Sequence, residues 1–511
     1  MKRRTFLQRI APTLAAPVLF NGMSLRTVAR PLRFYERLQL AADTDRVLVI
    51  IQLEGGNDGL NMVIPVEDDH YYALRPTLGI AKPEALALAG EPLVRLHPSM
   101  TGMQRMFDDG ELAIVGNIGY DGMTLSHFAG TEIWNTASAG SKIDYLDTGW
   151  VGRYLQGEFP DFPDTLPADP PAIEISAATS SIFTVVGASI GMSLTDPEEF
   201  YRLVSAAPAI DDEVDEGSPA GREWAFIESV NQQSRSFADT VRAAYNRASS
   251  QTTYPDSSLA RSLAIIARLV AGGLRTRIYK VTLGGFDTHG AQAATHRTLL
   301  GMVSGAIKAF QDDLVALGVA GRVVGMTYSE FGRRARENGQ GTDHGTAAPH
   351  FVFGSAVDGG KVFGRTPDLA NLDASGNLVH TIDFHCYYAS VLAPLFGVDN
   401  AALARILPFG RCNRQELVPL YRSAGLSAPL PGRPAARLTI HPNPASHAIS
   451  VHLAGGVRGD LLRVIDSRGM VVIERRLVPE SEPLVLDLSG LSPGEYIVTA
   501  GGSSEKLVVV R

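Results

Sequence analysis

Two short stretches place together residue types that can do chemistry. Gly-Gly-Phe-Asp-Thr-His (284–289) carries Asp287 and His289, and Gly-Thr-Asp-His (341–344) carries Asp343 and His344. Between them, Ser-Glu-Phe-Gly-Arg (329–333) adds Glu330. A neutral imidazole beside carboxylates suits zinc or a similar transition metal, whereas oxygen ligands alone suit magnesium, calcium or manganese. Carboxylates with His can also hold a pair of metals that clamp a displacement at phosphorus or sulfur. Taken singly, each is as easily a hydrogen-bonded loop residue. His97 and His350 are read in that structural way.

The flanking sequence must bring these groups together. Arg277 to Leu283 is an apolar strand ending just before Asp287, Ala291 to Leu317 is an amphipathic helix, and Val323 to Thr327 is a strand ending before Glu330. Such a β-α-β crossover makes the strands parallel neighbours, so both carboxylates leave the sheet at one end, where α/β folds bind ligands. The run Arg46 to Leu53 reads as a strand buried on both faces and opens into Glu-Gly-Gly-Asn-Asp-Gly, which lifts Asp58 above its end. Asp58 is either an oxygen ligand or a turn-forming Asp. Leu112 to Ile118 is another buried strand, and Asp343-His344 opens a further one. Ser126 stands where a helix over His127 to Trp134 begins. There it serves as an N-cap, or as a nucleophile or anion ligand favoured by the helix dipole. Ser126 and His127 are adjacent and point apart, so they are not a Ser–His pair. From Asp196 to about Arg275 the pattern is helical, with an acidic loop from Asp211 to Glu216 that is a solvated surface or a lid. The fold class is α/β, doubly wound around a mostly parallel sheet.

Composition sets the limits. The chain has 511 residues, 45% hydrophobic and 20% charged, with a net charge of −8. That is ordinary globular composition without a basic stripe, so nucleic acid is excluded as a partner. Two cysteines, Cys386 and Cys412, rule out a Cys-based zinc motif; they pair after export or are small buried hydrophobes. Met-Lys-Arg-Arg-Thr-Phe-Leu-Gln-Arg followed by the apolar stretch from Ile10 to Met23 has the n- and h-regions of a signal peptide. Cleavage after Ala29 or somewhat later leaves no membrane span in the mature chain. Residues 421–437 are a Pro/Gly-rich linker, and the short alternating strands from 438 to 511 form a small β-sandwich.

These residues carry resemblances. Arg3-Arg4-Thr5-Phe6-Leu7 resembles a twin-arginine export signal. The motifs around Asp58, Ser126-His-Phe, Gly285-Phe-Asp-Thr-His, Ser329-Glu-Phe-Gly-Arg and Gly341-Thr-Asp-His-Gly, in this order over roughly residues 40 to 420, resemble the exported bacterial family DUF1501. That family is itself similar to the alkaline phosphatase and sulfatase superfamily. The resemblance implies metal at the strand ends, with Asp58, Asp287, His289, Glu330 and His344 matching ligand positions and Ser126 the nucleophile. Two departures stand out. Asp287 and His289 are closer together than usual, and Glu330-Phe331 replaces an Asp-His pair. An imidazole is thereby lost. Asp343 offers a compensation, and two metals, one or none remain open. The Cys/Ser-x-Pro-x-Arg setting of formylglycine sulfatases is absent. In the tail, Pro-Asn-Pro-Ala-Ser, Asp-Ser-Arg-Gly and Leu-Ser-Pro-Gly-Glu-Tyr resemble the C-terminal sorting domain of type IX secretion.

The expectation is therefore an exported metal-dependent hydrolase of phosphate or sulfate esters. It has a signal at 1–30, an α/β domain at 40–420 with a helical insertion at about 196–275, and a sorting domain at 438–511. A divalent cation (zinc, calcium, magnesium or manganese) is held by Asp58, Asp287, His289, Glu330, Asp343 and His344, and Ser126 binds or attacks the anion. The partners are a small anionic ester or polysaccharide and the twin-arginine and type IX machinery. The route runs through the periplasm to the cell surface or beyond. The alternative is a non-catalytic surface protein of the same fold that binds polysaccharide or assists a partner.

Overall fold

The computed structural model describes residues 45–139, 146–206, 234–410, 412, 417–422, 437–454, 461–465, 471–476, 484–500 and 503–510. The signal segment, the acidic loop from Asp211 to Glu216 and most of the 421–437 linker lie outside the described residues. Two compact units are formed, with nearly all of residues 45–427 in the first and residues 428–511 in the second.

The first unit is built on one sheet. Its strands are β1 (Val47–Leu53), β2 (Leu112–Gly119), β3 (Ala172–Ile175), β4 (Gly191–Leu194), β5 (Ile278–Leu283), β6 (Val323–Tyr328), β7 (Ala348–Phe353) and β8 (Lys361–Phe363), with the short strand Ile382–Asp383 also paired to β2. Their order across the sheet is β8-β2-β7-β6-β1-β5-β3-β4. All pairings are parallel except the two made by β7. β1 is buried at every position because both faces are covered. Val47, Val49, Ile51 and Leu53 face one core with α1 (Thr101–Asp108) and the later helices Ser258–Ala271 and Gln292–Ala316. Leu48 and Ile50 face the other core, with α2 (His127–Thr136), α3 (Trp150–Glu158) and the helix Phe384–Phe396. Helices on both faces of a mostly parallel sheet make the fold α/β and doubly wound.

One expectation is corrected. The strands on either side of the long Gln292–Ala316 helix are parallel, but they are not neighbours. β1 lies between them, paired with β5 from Leu48↔Ile278 onward and with β6 from Val47↔Val323 onward. The most apolar strand takes the central place, where both faces are buried. The loops leaving β1, β5 and β6 therefore stand side by side at one end. His350 is also not a loop residue; it is buried within β7.

A disulfide joins Cys386, in the Phe384–Phe396 helix, to Cys412 with Cα atoms 5.3 Å apart. The second unit has a three-stranded and a four-stranded antiparallel sheet around a core that includes Ile449, Val451, Leu462, Val464, Val498 and Leu507. Among the described residues, no helix is long and apolar enough to cross a membrane.

Candidate metal centre

Backbone shape brings the loops together. Gly55 has φ +119°, and a Cβ there would stand 2.4 Å from the Asp287 backbone nitrogen. Gly56, with φ +73°, lies over the Phe331 ring. Only residues without a Cβ let the loop after β1 approach the loops after β5 and β6 this closely. Arg333 then ties the loops to one another. Its buried guanidinium donates to the carbonyls of Gly55, Gly56, Phe286 and Thr342 and to Asp287 Oδ1 at 2.6 Å. Burial pushes the Asp287 carboxyl up, but the hydrogen bond and charge of Arg333, with the neighbouring His344 and His289 rings, outweigh it and hold it at about 2.

Around Asp287 stand the rings of His127, His289 and His344. Their Nε2 atoms lie 3.4 Å from Oδ2, 3.1 Å from Oδ1 and 3.1 Å from Oδ1 respectively. Each Nδ1 faces a different oxygen. His127 Nδ1 meets Glu330 Oε1 at 2.8 Å, His344 Nδ1 meets the Leu125 carbonyl at 2.8 Å, and His289 Nδ1 is 3.4 Å from Asp343 Oδ1. A carbonyl or carboxylate only accepts, so the first two rings donate from Nδ1, and in the neutral form each turns its Nε2 lone pair toward Asp287. His127 Nε2 is buried without a hydrogen-bond partner among the described residues. In that form two lone pairs confront a carboxylate at close range, with His344 Nε2 also 3.0 Å from His289 Nε2. A cation between them resolves this conflict, and the ligand atoms of His127, Asp287 and His344 all lie within 4.8 Å of one another. The donor set fits a divalent metal on that observation, and imidazole nitrogen favours zinc or a neighbouring transition metal over calcium or magnesium.

The residues named from sequence fall into three groups. Asp287, His289 and His344 converge. Glu330 and Asp343 stand behind the imidazoles and orient them, the arrangement usual around metal-bound histidines. Glu330 is fully buried and also accepts from Gly55 N at 2.8 Å. Asp58 does not join the cluster. It is buried, bonded to the Arg75 guanidinium and to Gln292 Nε2, and its carboxyl is lowered by Arg75 in spite of burial. Ser126 is exposed at the N-cap of α2 and makes no side-chain cap bond. It lies on the rim, since Leu125 touches His344 and His127 touches Glu330.

His127 was not among the expected ligands. An imidazole from α2 stands where position 331 lacks one, and Phe331 packs against both His127 and His344 with ring centroids 4.9 and 4.7 Å away. A usable sequence signal existed: a His at the first turn of a helix that follows a buried strand, beside a Glu-Phe pair short of an imidazole.

Comparison with known proteins adds the following. Residues 225–403 match the model of a protein family of unknown function, DUF1501. That span holds Asp287, His289, Glu330, Asp343 and His344, while Asp58, Ser126 and His127 precede it. Residues 439–510 match a secretion system C-terminal sorting domain. The tail indicates export to the cell surface or secretion. No curated protein shows significant sequence similarity to the chain. Among solved structures, the lipoteichoic acid synthase LtaP from Listeria monocytogenes is similar at 8% identity and TM-score 0.31, over 70% of this chain and 73% of that one. An alkaline phosphatase superfamily protein from Vibrio parahaemolyticus is similar at 10% identity and TM-score 0.32, over 85% and 82%. The PsFucS1 sulfatase from Pseudoalteromonas sp. gives 10% and 0.34, over 87% and 84%.

Proposed function

We propose that the chain is an exported, metal-dependent hydrolase of phosphate or sulfate esters. The observation that carries the reading is the pair of Nε2 atoms, on His127 and His344, turned toward Asp287 by Nδ1 hydrogen bonds made elsewhere. His127, His289, His344 and Asp287 would hold the metal, which supplies Lewis-acid stabilisation of charge on a phosphoryl or sulfuryl oxygen.

The remaining work falls to the chain. The Ser126 hydroxyl is exposed, uncommitted to capping, and set at the positive end of a ten-residue helix. In the proposed first step Ser126 Oγ bonds to phosphorus or sulfur, the ester C–O–P or C–O–S linkage opens at that atom, and the alcohol departs with the serine proton. In the second, water adds to the same atom, Oγ leaves with a proton, and inorganic phosphate or sulfate is released. Backbone N–H groups at the start of α2 stabilise the anion in both steps. Arg333 keeps Asp287 ionised and the loops in register throughout.

A non-catalytic surface protein that binds polysaccharide or assists a partner is the second reading. It draws support from Arg333, which already neutralises Asp287, and from Phe331, which fills the space of a further ligand. Elemental analysis of purified protein, with hydrolysis of nitrophenyl phosphate and nitrophenyl sulfate before and after chelation, separates the two. Stoichiometric metal and chelator-sensitive turnover that falls at least about 100-fold in Ser126→Ala support the hydrolase. Metal-free protein without turnover sinks it.

A further inference from the structure

On the sheet face that carries Leu48 and Ile50, the side chains turn polar at the strand ends. Gln52 pairs with Thr282 on one side and Tyr328 on the other, and Lys280 pairs with Glu174. Alternation along each strand puts these five side chains on one face. Lys280 Nζ donates to Glu174 Oε1 at 2.7 Å and to Thr282 Oγ1 at 3.2 Å, and Glu174 Oε2 accepts from Ser180 N at 2.7 Å. On the neighbouring strands, Tyr328 OH is 3.0 Å from both Gln52 Oε1 and Asn135 Oδ1. Asn135 Nδ2 donates to Ser181 Oγ, which donates to Glu132 Oε2 at 2.8 Å.

A ring of polar groups from four strands, α2 and one loop results, and it is incomplete. Gln52 Nε2 and Ser180 Oγ are buried with no hydrogen-bond partner among the described residues. Gln52 is only 3% exposed, and a buried amide group left unpaired is costly. Turning the amide over lets Nε2 donate to the Tyr328 hydroxyl, whose proton goes to Asn135 Oδ1, but it then leaves Gln52 Oε1 as the buried atom without a partner. The ring lies just below the metal-bearing loops: Gln52 is three residues before Gly55, and Tyr328 two before Glu330. At the outer surface, Phe128 is 90% exposed one helical turn before Glu132.

The chemistry selects the occupant. Two carboxylates against one ammonium repel an anion, and an apolar group would strand Gln52 and Ser180. Alternating hydroxyl donors and acceptors, with a C–H face for an aromatic ring, satisfy all of them. We propose that this ring is a hydroxyl-recognition subsite for a neutral, sugar-like part of the substrate, with Phe128 as the platform at its mouth. The proposal deepens the hydrolase reading and rests on it for the word substrate.

The test is calorimetric titration of the full-length chain, in chelator, with galactose, glucose, fucose and N-acetylglucosamine. Saturable binding of at least one sugar is expected, weakened about tenfold or more in both Gln52→Leu and Ser180→Ala, the loss of one hydrogen bond. Ser180→Ala removes a hydroxyl with no partner, so the fold survives. No saturable binding by the wild-type chain, or unchanged affinity in either variant, overturns the proposal. Because no turnover is read, this result is independent of whether the metal reading stands.

Discussion

Glu330 Oε1 accepts from His127 Nδ1 at 2.8 Å across 203 residues of sequence, and this bond decides which way the imidazole looks. Glu330 holds Nδ1 and so turns Nε2 toward Asp287, and in the neutral ring the Nε2 lone pair faces that carboxylate. Glu330→Ala therefore weakens metal binding without removing a ligand. A loss of about 10–100-fold is expected, as for other residues that orient a metal-bound histidine. His127→Ala, which removes the ligand itself, loses more. Competition against a chromophoric chelator measures both; equal affinity of Glu330→Ala and wild type contradicts this assignment.

The close approach of the loops depends on Gly55. Gly55→Ala adds a Cβ that meets the Asp287 backbone nitrogen at 2.4 Å, at φ +119°. Gly90→Ala is the control, since its φ is +76° but nothing lies within 4 Å of the added atom. The control isolates the left-handed penalty, about 1–2 kcal/mol. Gly55→Ala is expected to cost at least about 2 kcal/mol more and to abolish metal binding, because backbone must move. Denaturant unfolding of the two variants gives the difference. Equal destabilisation by both would remove the steric argument.

Much of this arrangement is legible in sequence, for identifiable reasons. The run from Val47 to Leu53 is apolar throughout because helices cover both its faces, and Asp287 and Glu330 follow strands that end on one side of the sheet. What escapes the sequence is partnership at long range. Asp58 reads as a ligand until Arg75, which belongs to no motif, is found against it. Glu330 and Asp343 read as ligands because spacing cannot tell a carboxylate that touches a metal from one that touches the imidazole behind it. His127 is hidden by its neighbour Ser126: the pair draws attention as a Ser–His pair and fails as one. Its true partner emerges from a strand two places away in the sheet.

The Cys386–Cys412 bridge closes a separation of 26 residues. The loop-entropy relation gives about 3.5 kcal/mol for a closure of that length. Reduction, or Cys412→Ser, is expected to lower the stability of the first unit by roughly 2–4 kcal/mol. The three tryptophans, Trp134, Trp150 and Trp224, all precede the tail, so their fluorescence follows this unit alone. Urea midpoints with and without reductant report the change. A shift under about 0.5 kcal/mol would assign the bridge no stabilising role.

Acid should weaken the first unit through histidines buried in the neutral form. Burial pushes His350 down from 6.5 to about 3. Burial also takes His296 down to about 4, with Asp58 opposing and the charges of Arg75 and Arg333 adding to the fall. His97 is lowered to about 4 by burial and by the charges of His296 and Arg297, against Asp58. All three lie below the unfolded value, so between pH 6.5 and about 4 the unfolded chain binds protons that the folded chain refuses. Their contribution is complete above pH 6.5 and shrinks as pH falls toward 4. Each group changes stability by up to about 1.4 kcal/mol per pH unit below 6.5, so a loss on the order of 8 kcal/mol is expected between pH 7.5 and 4.5. His350→Phe takes away one of the three contributions and should flatten the profile in proportion, since the site is enclosed by Trp134 and Tyr387 and accepts an aromatic ring. Tryptophan-monitored unfolding across that range measures both slopes. Identical slopes for the wild type and the variant would show that His350 is protonated as readily in the folded chain as in the unfolded one.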